Sequence, residues 1–354
     1  MRILLYNELS GVHFNLSEGL KKLGHDVTIA SGGDGWKKFR SDISLNPSKN
    51  SKLGRVKYRI ELIKKLTGFD VIQIMGGMIT FGYEHLDNYI IKYILKNNKN
   101  AIYLAAGCEA QFYNYSNFNK SPVCIHCKLE DSSDNKCPIG LHNDYYQFNC
   151  ETIIKNVNKI FAIGYDYQLP YQNTSNFNGI INMPINTDKI CYKTMPVGQK
   201  IKILHGINRK GFKGSTLILN ALNKLREKYP NDIEVMTPSR LNFNEYLKVL
   251  ETSDLVVDQG FFYSLGMNAL ISMAMGKVVL QGFKFDGKNE YLNSKPSITF
   301  DHNEAILIRE IETLIADKKK ISEIGYNSRV FVEKNHNYIS VAEDSIKKWK
   351  AEIT

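Results

Sequence analysis

Apolar residues recur along the chain in two patterns, as short unbroken runs and as stretches with a period near 3.6 residues. Short runs predict buried strands and the longer periodic stretches predict amphipathic helices. In the first third the predicted strands are Ile3–Tyr6, Val27–Ala30, Val71–Ile74 and Ala101–Ala105, and the predicted helices are Val12–Leu23, Lys57–Leu66 and Leu86–Leu95. Strands that alternate with helices favour an α/β fold with parallel sheets covered on both faces.

The alternation resumes at Lys159–Ile163 and fills the second half of the chain. Its predicted strands are Ile201–His205, Ile233–Met236, Leu255–Asp258 and Val278–Gln281; its predicted helices are Ser215–Lys228, Phe243–Glu251, Met267–Met275, Ala305–Ala316, Ile321–Lys334 and Ser340–Ile353. Residues 107–150 are polar, aromatic and rich in cysteine, and predict an irregular insertion. A linker is expected near Asp188–Gln199.

Two Rossmann-like lobes that face a central cleft account for these two halves. A length of 354 residues fits about two domains. We expect an N-terminal lobe over 1–188 with the insertion, a C-terminal lobe over 189–338, and a last helix over 339–354 that packs back on the N-terminal lobe. A ligand is expected in the cleft.

The net charge of +10 and the isoelectric point near 9.1 indicate anionic partners. The sequence has no nucleic-acid recognition signature and no apolar run near the ~18 residues of a membrane helix. Its N-terminus turns polar too soon for a signal peptide. We therefore expect a cytoplasmic protein without a nucleic-acid partner, whose basic charge suits peripheral contact with the inner face of a membrane.

A basic, glycine-rich loop follows the predicted strand Ile201–His205 and leads into a helix. It reads ILHGINRKGFKG over Ile203–Gly214, with cations at Arg209, Lys210 and Lys213. The glycines, at 206, 211 and 214, allow a ligand to approach the backbone, and cations at a helix start suit a pyrophosphate. The alternative is a glycine-rich turn with solvated basic residues.

A second loop ends at Gly266, directly before the predicted helix Met267–Met275. Free N–H groups and the helix dipole favour an anion there. Together the two loops resemble the nucleotide-sugar lobe of the retaining GT-B glycosyltransferases, often called glycosyltransferase family four. Arg209 and Lys213-Gly214 match the family's diphosphate loop. The second segment matches at Gly266, Met273-Ala274, Gly276-Lys277 and Val279.

This resemblance implies a GT-B glycosyltransferase that transfers a sugar from a nucleotide-diphosphate sugar, with retention, in surface glycan synthesis. The acceptor would be a glycan, a lipid-linked saccharide or a protein, and no catalytic metal is expected. Arg209 and Lys213 would hold the diphosphate near His205 and Gly206. Backbone groups of Met267 and Asn268 would lie near the donor sugar. From the first lobe, residues similar to the family's first glycine loop, Gly11 and Val12, would border the diphosphate.

The chain departs from the family where donor-binding glutamates are expected. Those positions fall at Tyr263 and Ile271, and an isoleucine cannot accept a hydrogen bond from the donor ribose. Three readings stay open: the donor is held differently, catalysis has been lost, or another polar residue takes over, with the candidates Asp258, Gln259, Ser264 and Asn268. Two competing functions follow, a nucleotide-sugar epimerase and a catalytically silent nucleotide-binding subunit.

Two further features concern the insertion. Cys124-x2-Cys127 and Cys137, with Cys108 upstream, suit a structural zinc site. Candidate alternates for the fourth ligand are Cys150, His126 and His142, and the alternative is a set of free thiols.

Glu109 follows a predicted strand at its carboxyl end, where site residues concentrate. Glu109 is the candidate carboxylate for the acceptor side of the site. The alternative is that it is a solvated loop residue.

Overall fold

The computed structural model describes residues 1–46, 51–77, 79, 84–192, 197–282 and 297–351. The chain forms two compact units. The first comprises Met1–Tyr115, Ile139–Pro184 and Tyr338–Thr354, and the second comprises Ser116–Pro138 and Ile185–Asn337. Each unit is built on a parallel sheet, so the α/β fold with parallel sheets in two lobes, which the alternating pattern predicts, is confirmed.

The described strands follow each other in both units at regular intervals. In chain order they are β1 Arg2–Tyr6, β2 Asp26–Ser31, β3 Ile43–Ser44, β4 Val71–Met75, β5 Asn100–Ala105, β6 Lys159–Ala162, β7 Phe177–Ile180, β8 Ile201–Leu204, β9 Ile233–Met236, β10 Leu255–Val257, β11 Val278–Gln281 and β12 Ile298–Thr299. The pattern of apolar runs predicts nine of these twelve within a residue or two. It does not predict β3, β7 and β12, which have only 2, 4 and 2 residues.

The α-helices cover most of the remaining described chain. They are α1 Val12–Lys22, α2 Lys52–Lys65, α3 Glu84–Lys96, α4 Ala110–Phe118, α5 Pro122–Asp131, α6 Asp144–Asn156, α7 Tyr165–Gln168, α8 Lys210–Lys213, α9 Ser215–Lys228, α10 Phe243–Thr252, α11 Met267–Ala274, α12 Glu304–Ala316, α13 Lys319–Asn335 and α14 Tyr338–Lys350. The predicted end of the last helix, Ile353, lies outside the described residues, as do positions 193–196 of the expected linker.

The cysteine-rich stretch is helical rather than irregular, which corrects the prediction for residues 107–150. It contains α4, α5 and most of α6, and each helix start has a local cause. Pro122 occupies the first turn of α5, where its missing N–H costs nothing. The Asn143 side chain caps α6 by accepting the N–H of Tyr145. Ser116–Pro138 belongs to the second unit, whereas the chain on either side of it belongs to the first.

The C-terminal helix α14 belongs to the first unit and packs against α1. A Cβ at Gly19 would overlap the carbonyl oxygen of Tyr338, so glycine permits this close approach. The buried Trp349 indole donates to Gln73 Oε1 on β4 at 3.1 Å. The carbonyl oxygen of Trp349, near the end of the helix, accepts Asn100 Nδ2 of β5 at 2.8 Å and the Lys159 ammonium of β6 at 3.2 Å.

The first sheet has the order β3-β2-β1-β4-β5-β6-β7 and the second the order β12-β11-β10-β8-β9. In the second sheet β8 continues to β9 on one side, while β10 lies on its other side. The strand order therefore reverses between β8 and β10. In open parallel sheets a ligand crevice forms outside the carboxyl ends of the strands at such a reversal. The segments that follow β8 and β10 contain most of the residues predicted to bind the donor.

Candidate functional site in the second unit

His205 follows β8 and is fully buried. Its Nδ1 lies 2.7 Å from the carbonyl oxygen of Val257 and its Nε2 lies 2.9 Å from Ser215 Oγ. Nδ1 is therefore the donor, and Nε2 accepts the serine hydroxyl. Burial, and next the charge of Lys213, lower the pKa of His205 to about 4. The neutral imidazole connects β10 to the start of α9. Because both of its nitrogens are hydrogen-bonded within the protein, neither is left to bind a phosphate.

The Lys213 ammonium lies 3.0 Å from Asp258 Oδ1, and this ion pair joins the two loops. The Asp258 side chain is 1% exposed and that of Lys213 is 13% exposed. Asp258 Oδ1 also accepts Asn268 Nδ2 at 2.7 Å, from the first turn of α11. A lysine, an aspartate and an asparagine from three segments thus meet at the strand reversal.

Two buried polar atoms beside this ion pair have no hydrogen-bond partner among the described residues. They are Asp258 Oδ2 and the hydroxyl of Tyr246 on α10. A Cβ at Gly206 would lie 3.3 Å from the Tyr246 hydroxyl, and one at Gly266 would lie 3.5 Å from Asp258 Oδ2. Burial, and next the Asp258 charge, raise the pKa of Tyr246. A ligand that donates one hydrogen bond and accepts another would satisfy both atoms.

Arg209 lies over an aromatic ring. Its guanidinium carbon is 3.9 Å from the Phe212 ring centroid, and one of its N–H groups donates to Cys127 Sγ at 3.1 Å. Such cation–π stacking fixes the plane of the guanidinium. Arg209 and Lys213 therefore both lie on the loop as predicted, each with a partner from the protein.

Two backbone N–H groups of the basic loop donate hydrogen bonds to a carboxylate of the protein itself. Asp131, the last residue of α5, accepts the N–H of Gly211 at 3.1 Å and that of Phe212 at 2.9 Å. A Cβ at Gly211 would overlap the His126 carbonyl of α5. Gly211 therefore serves the packing of α5, which corrects its predicted role as a point of close ligand approach.

Other side chains near the end of α5 also contact residues of the second unit close to the basic loop. Glu130 accepts the Thr216 hydroxyl at 2.5 Å, and His126 stacks on Phe261 with ring centroids 4.5 Å apart. Gly214 adopts a left-handed φ of 69°, and a Cβ there would lie 2.9 Å from the Phe261 ring. Helix α5 is thus part of the wall around the basic loop.

Neither of the family's two glutamate positions contains a carboxylate. Ile271 is 7% exposed within α11. Tyr263 contacts His302 edge to face, with ring centroids 5.7 Å apart. Of the four polar candidates considered for the missing role, Asp258 is the one with a buried oxygen that lacks a partner.

Gly11 and Val12, in the first unit, form the start of α1. Gly11 has a left-handed φ of 89°, and its N–H donates to Glu8 Oε1 at 2.7 Å. The other Glu8 oxygen accepts the N–H of Phe14 at 2.7 Å. Burial is the main reason that the pKa of Glu8 rises to about 7. The first turn of α1, like the basic loop, is occupied by a carboxylate of the protein.

Glu109 repeats this arrangement at α4. It is 1% exposed, and its oxygens accept the N–H groups of Gln111 at 2.8 Å and Phe112 at 2.6 Å. The Cys150 thiol lies 3.4 Å from Glu109 Oε2. Burial raises the pKa of Glu109. These contacts make Glu109 a buried helix cap instead of a cleft acid.

The predicted zinc site is not present in the described part of the chain, where no group of three or more His, Cys, Asp or Glu residues could hold a metal ion. Cys124 and Cys127 lie within helix α5 and not in a metal-binding turn. Cys127 is buried against Arg209. Cys108 belongs to the first unit and Cys137 to the second. Burial also raises the pKa of the Cys150 thiol, which disfavours a thiolate ligand.

Sequence reasoning missed Asp131 and Tyr246. Neither lies in a recognisable motif, and Asp131 reaches Gly211 across 80 residues. The only local signal is that Asp131 ends an apolar, cysteine-containing stretch.

Among the described residues, no helix combines the length and apolar character needed to cross a membrane.

No protein-family model matches the sequence, and no curated protein matches it. Similar solved structures include HepE from Anabaena in complex with UDP and glucose, at 12% identity and a TM-score of 0.63, with 98% of each chain covered. Sucrose-phosphate synthase from Thermosynechococcus elongatus has 12% identity and a TM-score of 0.62, with 99% of this chain and 98% of that chain covered.

A third similar structure is the UDP-GlcNAc 2-epimerase from Neisseria meningitidis bound to UDP-GlcNAc. It has 11% identity and a TM-score of 0.55, with 98% of this chain and 99% of that chain covered. At these identities the likeness establishes the fold and leaves activity open. The predicted GT-B fold is thereby confirmed.

Proposed function

We propose that this protein is a glycosyltransferase that moves a sugar from a nucleotide-diphosphate sugar to an acceptor. The observation that carries the proposal is the ion pair of partly exposed Lys213 with buried Asp258 at the strand reversal, beside two buried polar atoms that lack hydrogen-bond partners among the described residues. The solved structures with this fold include glycosyltransferases, and HepE was solved with UDP and glucose. A UDP-sugar is therefore the first donor to test.

Lys213 would contact the donor diphosphate. Its ammonium has three N–H groups, of which Asp258 Oδ1 accepts one. The partly exposed side chain can direct another to a phosphate oxygen while Asp258 holds it in place. As the bond from sugar to diphosphate breaks, negative charge grows on the leaving group, and a fixed cation stabilises it without a metal.

The remaining diphosphate contacts would come from Arg209 and from the first turn of α11. The N–H groups of Gly211 and Phe212 are used by Asp131, so they are not part of the proposal. Met267 and Asn268 have N–H groups that α11 itself cannot pair at its first turn. Gly206 and Gly266 have no side chain of their own here, and a Cβ would meet the Tyr246 ring at 3.0 Å and Gln259 Nε2 at 2.6 Å.

Asp258 would accept a hydroxyl of the donor through Oδ2, in place of the family's ribose-binding glutamate. Ile271 at the expected position has no acceptor, whereas Asp258 Oδ2 is buried and lacks a partner. A buried carboxylate oxygen of this kind costs free energy until a donor group reaches it. Transfer would proceed with retention, with no protein nucleophile assigned.

From the first unit, Gly11 and Val12 are proposed only to border the donor, because Glu8 already accepts the N–H of Gly11. Glu109 is not included, since both of its oxygens cap α4. The acceptor would be a glycan, a lipid-linked saccharide or a protein in surface glycan synthesis. We propose a cytoplasmic location, where a lipid-linked acceptor would bring the enzyme to the inner face of a membrane.

Two other functions have specific support. An epimerase is favoured by the likeness to UDP-GlcNAc 2-epimerases, and it would release an altered sugar from donor alone. A catalytically silent subunit is favoured by Ile271 and by the occupied loop N–H groups, and it would bind nucleotide without turnover. Mass spectrometry of products with and without acceptor separates all three.

The direct test is calorimetric titration of the full chain with UDP and with a panel of nucleotide sugars. Replacing Lys213 with Ala should weaken UDP binding by at least about tenfold, since one charge-assisted contact is lost. The matched control Lys210→Ala should change it less than about twofold, because that side chain is 51% exposed and 3.9 Å from Glu130. Lys213→Arg tests whether a cation alone restores affinity. Equal affinities for the wild type and folded Lys213→Ala would reject the site.

A further inference from the structure

Helix α2 of the first unit presents an apolar pair between cations. Val56 is 41% exposed and Ile60 is 52% exposed, and their i, i+4 spacing places them side by side. With 3.6 residues per turn, Lys57 and Lys64 lie on one side of this pair and Arg59 on the other. The helix reads KLGRVKYRIELIKK, in which Glu61 is the only acidic residue.

Helix α3 presents a second apolar stripe. Leu86, Tyr89 and Tyr93 are 55%, 74% and 55% exposed, and their spacing puts them on one face. Exposed Lys92 and Lys96 lie on the same helix. Large apolar and aromatic side chains this exposed in a continuous row mark interaction sites on soluble proteins.

Both helices cover the same face of the first sheet. α2 connects β3 to β4 and α3 connects β4 to β5, and both connections advance in the same direction across the strand order. Right-handed crossovers then place both helices on one face. One core cluster accordingly contains Leu62 of α2 and Ile91 of α3 together with strand residues. The outward surfaces of α2 and α3 therefore belong to one layer, called here the α2–α3 face.

We infer that the α2–α3 face, with Val56, Ile60, Leu86, Tyr89 and Tyr93 among its lysines and arginines, docks on an anionic lipid bilayer. The combination of aliphatic side chains, tyrosines and cations is the one by which helices lie in the headgroup region. Tyrosine places its ring at this depth and its hydroxyl in water, and lysine stems reach outward past apolar neighbours. The excess of cations matches an anionic surface rather than a neutral one.

Flotation of the full-length protein with lipid vesicles tests this inference. One set contains phosphatidylcholine with about one third phosphatidylglycerol, and the other contains phosphatidylcholine alone. We expect binding to the anionic set, weakened by added salt because the cations act through a screened field. Each cation removed should lower affinity about fivefold, so the triple variant Lys57→Gln, Lys64→Gln, Lys96→Gln should lose most binding.

The apolar contribution is tested by Tyr89→Ser with Tyr93→Ser, and by Val56→Ser with Ile60→Ser. The matched control is Tyr326→Ser with Val330→Ser on α13, where the side chains are exposed to 56% and 41%. The first two variants should lose binding and the control should keep it. Circular dichroism verifies that each variant is folded.

Three results would overturn the inference: no binding to either vesicle set, equal binding by all variants, or self-association in light scattering that the Tyr89/Tyr93 variant abolishes. The last would assign the face to a second copy of the chain. UDP titration in solution is unaffected by these substitutions if the donor site is as proposed. Failure of membrane docking and failure of the donor site are therefore separate outcomes.

Discussion

The carboxylate of Asp131 accepts the backbone N–H of Phe212 at 2.9 Å. The same group accepts the N–H of Gly211, so an acidic residue of α5 occupies a place that the loop sequence predicts for a phosphate. Glu8 and Glu109 do the same at the starts of α1 and α4. These three helix starts are thus stabilised by carboxylates of the protein, through charge-assisted hydrogen bonds to N–H groups.

Replacing Asp131 with Ala should destabilise the second unit. Two N–H groups lose a charged acceptor, which corresponds to about 2 kcal/mol. The thermal midpoint should fall by roughly 5 °C. The control is Asp134→Ala in the same segment. Asp134 is exposed and its carboxylate contacts the neighbouring Ser132 and Lys136, so we expect almost no change. Equal midpoints for both variants would mean that Asp131 does not hold α8 in solution.

A methyl group at Gly211 should separate α5 from the loop. The added Cβ would overlap the His126 carbonyl, which must move for the side chain to fit. We expect Gly211→Ala to expose Cys127, which is 6% exposed in the wild type, and to raise its labelling rate by a thiol reagent about tenfold or more. Mass spectrometry of the labelled peptide distinguishes Cys127 from Cys124.

The matched control is Gly198→Ala in the same unit. The nearest atom to a Cβ there is the Lys200 carbonyl oxygen at 3.9 Å, an ordinary contact. Its Cys127 labelling should equal that of the wild type. A protected Cys127 in folded Gly211→Ala would show that the segment adapts without leaving the loop.

The alternation of strands and helices could be predicted because it depends on local periodicity. Strand β11, for example, has the predicted bounds Val278–Gln281. The position of the site after β8 and β10 follows from that alternation, since a strand-order reversal defines it. The resemblance to GT-B glycosyltransferases adds the fold of the whole chain, which the comparison of structures confirms.

The contacts of the site could not be predicted in the same way. Cys124-x2-Cys127 fits a metal knuckle and also a helix, where three residues separate neighbours on one face. Only the tertiary environment decides, and here Arg209 and Phe261 of distant segments surround α5. Gly211 likewise has a sequence context that suggests a ligand, although its neighbour is a carbonyl of the protein.

Replacing Tyr246 with Phe should raise stability and lower donor affinity. The buried hydroxyl has no hydrogen-bond partner among the described residues, so removing it relieves a desolvation cost of about 1 kcal/mol. If the hydroxyl contacts the donor, UDP-sugar binding should weaken about tenfold. Thermal unfolding and calorimetric titration measure the two effects on the same sample.

Tyr229→Phe is the matched control for this substitution. The Tyr229 hydroxyl donates to Glu312 Oε1 at 3.1 Å, so its loss should lower stability slightly and leave donor binding unchanged. A Tyr246→Phe protein that is less stable than the wild type would indicate a hydrogen bond that the present geometry lacks. Unchanged donor affinity would remove Tyr246 from the proposed site.

His205 should make the second unit sensitive to acid. Its pKa is about 4 in the folded protein and near 6.5 when unfolded, so the unfolded chain binds the proton more readily. Stability contributed by the neutral imidazole is present above pH 6.5 and is lost progressively as the pH falls towards 4. The full difference is about 3 kcal/mol. The wild-type thermal midpoint should therefore decrease across this window more steeply than that of a folded His205→Gln protein.

Comparison of these two proteins isolates His205 from other titrating groups. Glu8 acts with the opposite sign, because its pKa of about 7 in the folded chain lies above its unfolded value, so its stabilising contribution is lost as the pH rises. That effect is common to both proteins and cancels in their difference. The exposed His142 gives the control His142→Gln, which should follow the wild-type profile. Parallel curves for the wild type and His205→Gln would contradict the buried neutral state of His205.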